Sequence, residues 1–400
     1  MSDDKHSLTN VYDALFDYCA AEGFAGYDPF DGLNSRIFRA SPLKHSRLAR
    51  LAWLQAVKRS ARNLRPALKI EKGVNAKGIA LFALAELSRF RATYKPIHAE
   101  NAKNLLKKLL ALKISIQNPK SKIQNRSAFG YNFDWQSRVF FAPEGTPTIV
   151  PTAFAAQAFA ESYRLFGDEG HRTILAEIAR FIETDLRRPV ETETELCFSY
   201  TPLDDTKIYN ASLLAGEVLA NAAQLAGDGK YYELAAKTAV FAINHQRADG
   251  AWAYGEKARQ AWVDNFHTAY VLLSLFRLQK TIPGFECGET IKKGLNYWLE
   301  NFFLADGAPK YYDRETYPID IHSASAAIAA LAELDELDAR CLPLAERVAA
   351  WTIANMRDEK GFFYYQKRRN KLVKTPFIRW SNAWTLFALA RLIEAKGEER

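Results

Sequence analysis

The sequence has no run of 18 uncharged apolar residues, so no membrane-spanning helix is expected. Its first residues, Met1-Ser2-Asp3-Asp4-Lys5-His6, are polar and acidic, without the basic start and apolar stretch of a secretory leader. The four cysteines (Cys19, Cys197, Cys287, Cys341) are scattered and make no CxxC pair, which argues against a zinc site or a disulfide framework. Together these absences predict a cytoplasmic protein. No nucleic-acid-binding motif is present, so DNA and RNA are not expected as partners. Nor does a Ser/Pro/Gly-rich linker divide the chain, and one domain spanning 1–400 is expected.

What is present is a globular composition, 48% hydrophobic and 25% charged. Lys and Arg number 54 against 46 Asp and Glu, a net charge of +8 that favours an anionic partner without naming one.

The chain repeats itself. Lys77-Gly78-Ile79-Ala80-Leu81-Phe82-Ala83-Leu84-Ala85 reads almost like Asn382-Ala383-Trp384-Thr385-Leu386-Phe387-Ala388-Leu389-Ala390, and similar stretches begin at Thr152, Asn210, His267 and His322. From Thr152 the intervals are 58, 57, 55 and 60 residues, while the first is 75, which puts an insertion at about 117–150. A near-constant period of this length marks a supersecondary repeat. These six segments are apolar almost all round and should be buried. Between them lie charged, amphipathic stretches at about 98–115, 170–188, 229–246, 286–302 and 338–356, with stripes such as Leu175, Ile178, Ala179 and Ile182. The segment 45–64, introduced by Ser41-Pro42, supplies a sixth. The pattern predicts an all-α fold, an (α/α)6 toroid of about six inner and six outer helices. An open solenoid is the alternative, but the long individual loops suit a closed ring better. Residues 1–40 would add an N-terminal helix and a loop capping the ring end.

The loops leading into the inner helices carry nearly all the unusual residues, and they must emerge at one end. Asp249-Gly250-Ala251-Trp252-Ala253-Tyr254 precedes Asp264-Asn265-Phe266-His267, and Lys310-Tyr311-Tyr312 precedes Asp320-Ile321-His322. Phe363, Tyr365, Arg379 and Trp380 precede the last inner helix, and Asp134-Trp135-Gln136-Ser137-Arg138 and Asp204-Asp205 precede earlier ones. Asp264 and His267, three apart on a helix, share a face, and a helix N-terminus favours the carboxylate and the neutral imidazole. An Asp beside a neutral His is an acid/base arrangement. The plainer reading is that Asp264 and Asp320 are only N-caps, and that aromatics such as Trp252 are packing wedges. The spacing is not HExxH-like, so no metal is expected, and no cofactor motif is seen.

Tyr27-Asp28-Pro29-Phe30-Asp31-Gly32-Leu33-Asn34-Ser35, Asp264-Asn265-Phe266-His267-Thr268, Tyr317-Pro318-Ile319-Asp320-Ile321-His322-Ser323 and Arg379-Trp380 resemble a bacterial family associated with polysaccharide biosynthesis and described as squalene-cyclase-like or prenyltransferase-like. The resemblance implies an α/α toroid working in surface- or exopolysaccharide assembly, with polysaccharide-assembly proteins as possible partners. Two departures weaken cyclase and prenyltransferase chemistry. Leu203-Asp204-Asp205 is only a fragment of an Asp-x-Asp-Asp acid motif, and Cys287 lies in an outer-helix approach.

The reading is therefore a carbohydrate-active enzyme taking an oligosaccharide or lipid-linked sugar, with hydrolysis, elimination and epimerisation all open. Asp264, His267, Asp320 and His322 are its catalytic candidates. Trp135, Arg138, Asp204, Asp205, Trp252, Tyr254, Lys310, Tyr311, Tyr365, Arg379 and Trp380 are its substrate-binding candidates. The alternatives are a non-catalytic scaffold subunit and a terpenoid-cyclase-like enzyme.

Overall fold

The computed structural model describes residues 7–116, 125–137 and 140–397. Helices are numbered along the chain. Three come early: α1 (Leu8–Ala21), α2 (Arg36–Ala40) and α3 (Arg47–Arg59). Then α4 (Ala76–Thr93), α6 (Ile149–Phe166), α8 (Tyr209–Ala226), α10 (Asn265–Thr281), α12 (Ile321–Leu334) and α14 (Trp384–Lys396) form the inner ring. Interleaved with them are α5 (Pro96–Ala111), α7 (Glu169–Asp185), α9 (Lys230–Asn244), α11 (Gly288–Asn301) and α13 (Cys341–Met356). Each inner helix packs on the next, and α14 packs back on α4, so the ring closes into an (α/α)6 toroid.

Side-chain size and polarity sort the two layers. In α4 nearly every position from Ala76 to Arg89 is buried, and its many Ala, Gly and Ser residues let neighbouring helices approach. In α7 only His171, Ile174, Leu175, Ile178, Ala179, Phe181 and Ile182 are buried, one stripe against the inner ring. Truncating Ile178 to Ala would leave a cavity and cost about 2–5 kcal/mol.

The sixth outer helix is α1, not the segment at 45–64. The Asp-Gly turns of successive repeats rest directly on outer helices. A Cβ on Gly250 would lie 2.6 Å from the Lys293 carbonyl of α11, and one on Gly307 would lie 2.6 Å from that of Arg347 in α13. The matching turn at Gly361 meets Ala14 of α1 at 2.7 Å. Both candidates are amphipathic, and only the ring's geometry chooses between them. The displaced helix, α3, lies over the ring end instead. Its Trp53 Nε1 donates to the Gly32 carbonyl at 2.9 Å, and Arg50 Nε donates to Gln136 Oε1 at 2.8 Å.

The C-terminal halves of the inner helices are stitched by alternating charges. Arg277 of α10 bonds Glu333 of α12 at 2.6 Å and Glu217 of α8 at 3.2 Å. Arg391 of α14 bonds the same Glu333 at 3.1 Å and its own helix's Glu394 at 2.9 Å. Arg91 of α4 takes Glu394 at 2.7 Å and also pairs with Glu161 of α6. Arg164 of α6 donates to Gln224 of α8 at 2.8 Å, which completes the circuit. Burial pushes the Glu333 carboxyl up, but Arg277 and Arg391 outweigh it and hold it at about 2.

Candidate active site

At the other end the six N-termini surround a cavity of about 1170 Å³. Each inner helix contributes from its first turns: Lys77, Val150, Asn210, His267, His322 and, from the turn preceding α14, Trp380. Six converging N-termini place partial positive charge on the cavity floor. Helix α3 and the loop around Phe30 wall the side. That loop is fastened by buried charge pairs. Arg379 holds Asp28 through two bonds of 2.6 and 2.8 Å, and Arg65 Nε holds Asp31 at 2.7 Å. Arg379 and Trp380 sit on a π-helical turn, Ile378–Ala383, a distortion common at functional sites.

Asp264 caps α10, accepting from the His267 amide at 3.0 Å. Its other oxygen lies 2.7 Å from His267 Nδ1 and accepts from Trp262 Nε1 at 2.9 Å. The Asp264 side chain is wholly enclosed while His267 lines the cavity. A carboxylate holding Nδ1–H leaves Nε2 as a base directed away from it. Asp264 is thus both an N-cap and an orienting group, so the two readings of the sequence are compatible.

The second pair differs. Asp320 accepts from the His322 amide at 2.9 Å, Trp380 Nε1 at 2.8 Å and Gln366 Nε2 at 3.0 Å. It is 1% exposed and stands outside the cavity lining, where it braces the wall. Burial drives its carboxyl up to about 6, against those three donors and Lys58. His322 does line the cavity, stacked on Trp380 at 4.1 Å, with Nε2 2.7 Å from the Tyr270 hydroxyl. Burial, then Lys77 and Arg379, hold its imidazole well below the usual histidine range, so it is neutral. Tyr270 stands between the two histidines, its ring centroid 6.2 Å from each.

Of the substrate-binding candidates, Trp135, Tyr254, Tyr311, Arg379 and Trp380 line the cavity. Others do not. Asp204 is consumed inside its own loop, accepting from the Thr201 amide at 2.7 Å and the Thr206 amide at 2.9 Å. Asp205 pairs with exposed Arg187 at 2.9 Å outside the cavity. Trp252 is a wedge: its Nε1 donates to the Ala242 carbonyl at 2.8 Å, and its ring presses on Gly294. Tyr365 is buried against Phe377, and Lys310 Nζ turns to the Asp313 carbonyl at 2.5 Å. Arg138 lies outside the described residues.

Of the wall's cations, sequence reasoning named only Arg379. Eight Lys and Arg line the cavity: Lys58 and Arg59 from α3, Lys77 and Arg379 at the floor, and Arg247, Lys257, Arg259 and Arg314 from loops. Asp313 and Glu315, on one loop, are its only acidic lining among the described residues. It also missed Lys77 itself. That residue is 2% exposed, with Nζ 4.3 Å from the Phe154 ring, 5.1 Å from Trp384 and 5.5 Å from Tyr270. Burial and then Arg379 depress its ammonium well below the ordinary lysine value. The available signal was one Lys in the first turn of an otherwise apolar helix, directly after the Asn75 cap.

No protein-family model matches the sequence, and no curated protein matches it. Solved structures do match. Cellobiose 2-epimerase from Bacillus thermoamylovorans superposes with a TM-score of 0.60 at 12% identity, over 83% of this chain and 90% of that one. A GH76 α-mannanase from Bacteroides thetaiotaomicron gives 0.60 at 9% identity, covering 82% and 88%. An unsaturated glucuronyl hydrolase specific for heparin gives 0.55 at 14% identity, covering 80% and 86%. At these identities the likeness establishes the fold: this chain is similar in architecture to α/α toroids found among sugar epimerases and glycoside hydrolases.

Proposed function

We propose that the protein is a carbohydrate-active enzyme that moves a proton at a sugar carbon, by epimerisation, isomerisation or elimination, on an acid-bearing oligosaccharide or lipid-linked sugar. The observation that carries this is the Asp264–His267 pair facing a cavity in which, among the described residues, no two carboxylates oppose each other. Glycoside hydrolysis through paired carboxylates requires them on two sides of the scissile bond. Asp320 and Asp204 are consumed elsewhere, and Asp313 and Glu315 share one loop. Proton abstraction from carbon needs instead one oriented base and a positive environment for the oxyanion that forms. His267 Nε2 is that base. Lys77 and the helix N-termini stabilise the developing negative charge, and the Tyr270 hydroxyl, tied to His322, returns the proton. The fold's occurrence among sugar epimerases and hydrolases supports a saccharide, and the cationic wall supports an acidic one. The motif resemblance supports a substrate drawn from surface-polysaccharide assembly.

Incubating the enzyme with uronate-containing oligosaccharides in deuterated water tests this. Deuterium entering a carbon position, or an unsaturated product absorbing in the ultraviolet, is expected. Cleavage to shorter saccharides without either signal would sink the assignment.

One observation favours a second reading, a binding subunit of an assembly complex: such a protein needs no converging carboxylates. It predicts a thermal shift with the same saccharides and no turnover. A terpenoid cyclase is disfavoured, since eight cationic side chains around a cavity destabilise a carbocation.

A further inference from the structure

The segment from Gly32 to Ile70 contains ten Lys and Arg and no Asp or Glu, more than the whole chain's net charge of +8. Some of these cations are already paired: Arg65 with Asp31 in the interior, and Arg39 with Asp134 and Glu144 at the surface. Lys44, Arg59 and Arg62 carry no carboxylate partner among the described residues, and Arg36 meets only Glu71 in an exposed pair, the kind that contributes little.

The same segment is apolar on its outer side. Leu48 is 78% exposed, Leu43 53%, Ile37 47% and Leu64 37%, which is four of the eight exposed large hydrophobics among the described residues. Seven consecutive residues, 42–48, are exposed. Along α3 the exposed positions are Arg47, Leu48, Ala52, Ala56 and Arg59, while Leu54 and Val57 face the protein. A helix normally turns its apolar face inward and its charges outward. Here Leu48, Ala52 and Ala56 make an apolar stripe that faces solvent, in a segment whose Lys44 and Arg62 have no carboxylate partner among the described residues.

We propose that this segment, α2 through α3, docks the protein on an anionic phospholipid bilayer. Leu43, Leu48 and Ile37 enter the headgroup boundary while Arg36, Lys44 and Arg62 meet lipid phosphates. Exposed leucines beside clustered lysine and arginine are the signature of a helix lying in a membrane interface, and an anionic leaflet supplies the complementary charge. Because Leu51, Leu54, Gln55 and Lys58 of the same helix wall the cavity, docking sets the mouth beside the bilayer. A lipid-linked substrate would be met there. The docking itself does not depend on the proton-transfer chemistry.

The test is co-sedimentation of the full chain with vesicles of phosphatidylcholine alone and of phosphatidylcholine with phosphatidylglycerol. Binding is expected only to the anionic vesicles and should weaken as salt rises. Leu43→Glu/Leu48→Glu should lower that binding by roughly tenfold or more, since two anchors become anions. Lys44→Ala/Arg62→Ala should lower it by a similar factor. All four positions are exposed, and thermal midpoints should match that of the parent. Absence of binding to anionic vesicles at low salt overturns the proposal, as does undiminished binding by both double variants. Equal binding to neutral vesicles also overturns it. Capture of an acidic protein in place of vesicles would assign the surface to a protein partner and overturn the lipid assignment.

Discussion

The two ends of the toroid are built from the same six helices and use charge in opposite ways. At the C-terminal halves, Arg91, Arg164, Arg277 and Arg391 alternate with Glu161, Glu217, Glu333 and Glu394, four against four. Adjacent helices are tied in one circuit. At the N-terminal end, eight cations line a cavity with two acids, and the helix dipoles add to the excess. The balanced end spends its charges on holding the ring closed. The unbalanced end pairs Arg379, Arg247 and Arg314 with Asp28, Asp249 and Asp313, but leaves Lys58, Arg59, Lys77, Lys257 and Arg259 without a carboxylate partner among the described residues. Stability and chemistry are therefore separable along each inner helix, and mutations at the two ends should separate them.

Breaking the closed end should have the largest effect. Glu333→Ala leaves Arg277 with only Glu217 and Arg391 with only Glu394 at a half-buried site, at a cost of about 2–4 kcal/mol for the charged hydrogen bonds lost. Chemical denaturation should show that loss, while substrate binding by the remaining folded protein stays unchanged. His267→Ala is the counterpart at the mouth. Turnover should fall by roughly 10²–10⁴-fold, the usual contribution of a positioned general base, with the thermal midpoint close to that of the parent. A His267→Ala protein that unfolds instead would mean the mouth is structural too, and the comparison would fail.

The fold was legible because close packing in a ring demands a visible pattern. Inner helices apolar all round recur at a fixed interval, and their observed starts at Ala76, Ile149, Tyr209, Asn265 and Ile321 lie within three residues of those the repeat implies. The sixth outer helix was misread because amphipathicity records that a helix has a dry side but not what dries it. Of the site, the Asp264–His267 pair was visible since spacing along one helix fixes it. Asp204, Asp320 and Trp252 look alike in sequence to groups that face a ligand. Only the three-dimensional count of donors shows their bonding already filled. Lys77 of α4 and Tyr270 of α10, from opposite sides of the ring, meet through space, and no local pattern announces that.

A smaller effect sharpens the account of the mouth. Lys77→Met keeps the length and apolar packing against Phe154 and Trp384 but removes the amine. Relief of an unpaired buried amine should leave stability equal or slightly higher. Affinity for acidic saccharides should fall by about tenfold to a hundredfold, the loss of one charge-assisted hydrogen bond. Unchanged affinity would remove Lys77 from the site.

The smallest effect concerns the wall itself and is read from a pH slope. Asp320 titrates at about 6 in the folded protein, because burial raises it, and near 3.9 unfolded. Its folded-state value is the higher one, so between these limits the folded state binds the extra proton. Stability from this group is full below the lower value and is lost as pH rises through the upper one. Glu333, held at about 2, has the opposite sign: its contribution is present above the unfolded glutamate value and lost as pH falls. The total pH curve therefore blends the two ends of the ring. Asp320→Asn isolates one of them. It keeps an oxygen to accept from Trp380 and the His322 amide, and it carries no proton to lose. The difference in unfolding free energy between parent and variant should change between about pH 4 and pH 6 and be flat on either side. A flat difference across that window would mean the Asp320 carboxylate is better solvated than its enclosure implies. The mouth's wall would then be open to water at the point where Trp380 and His322 are braced.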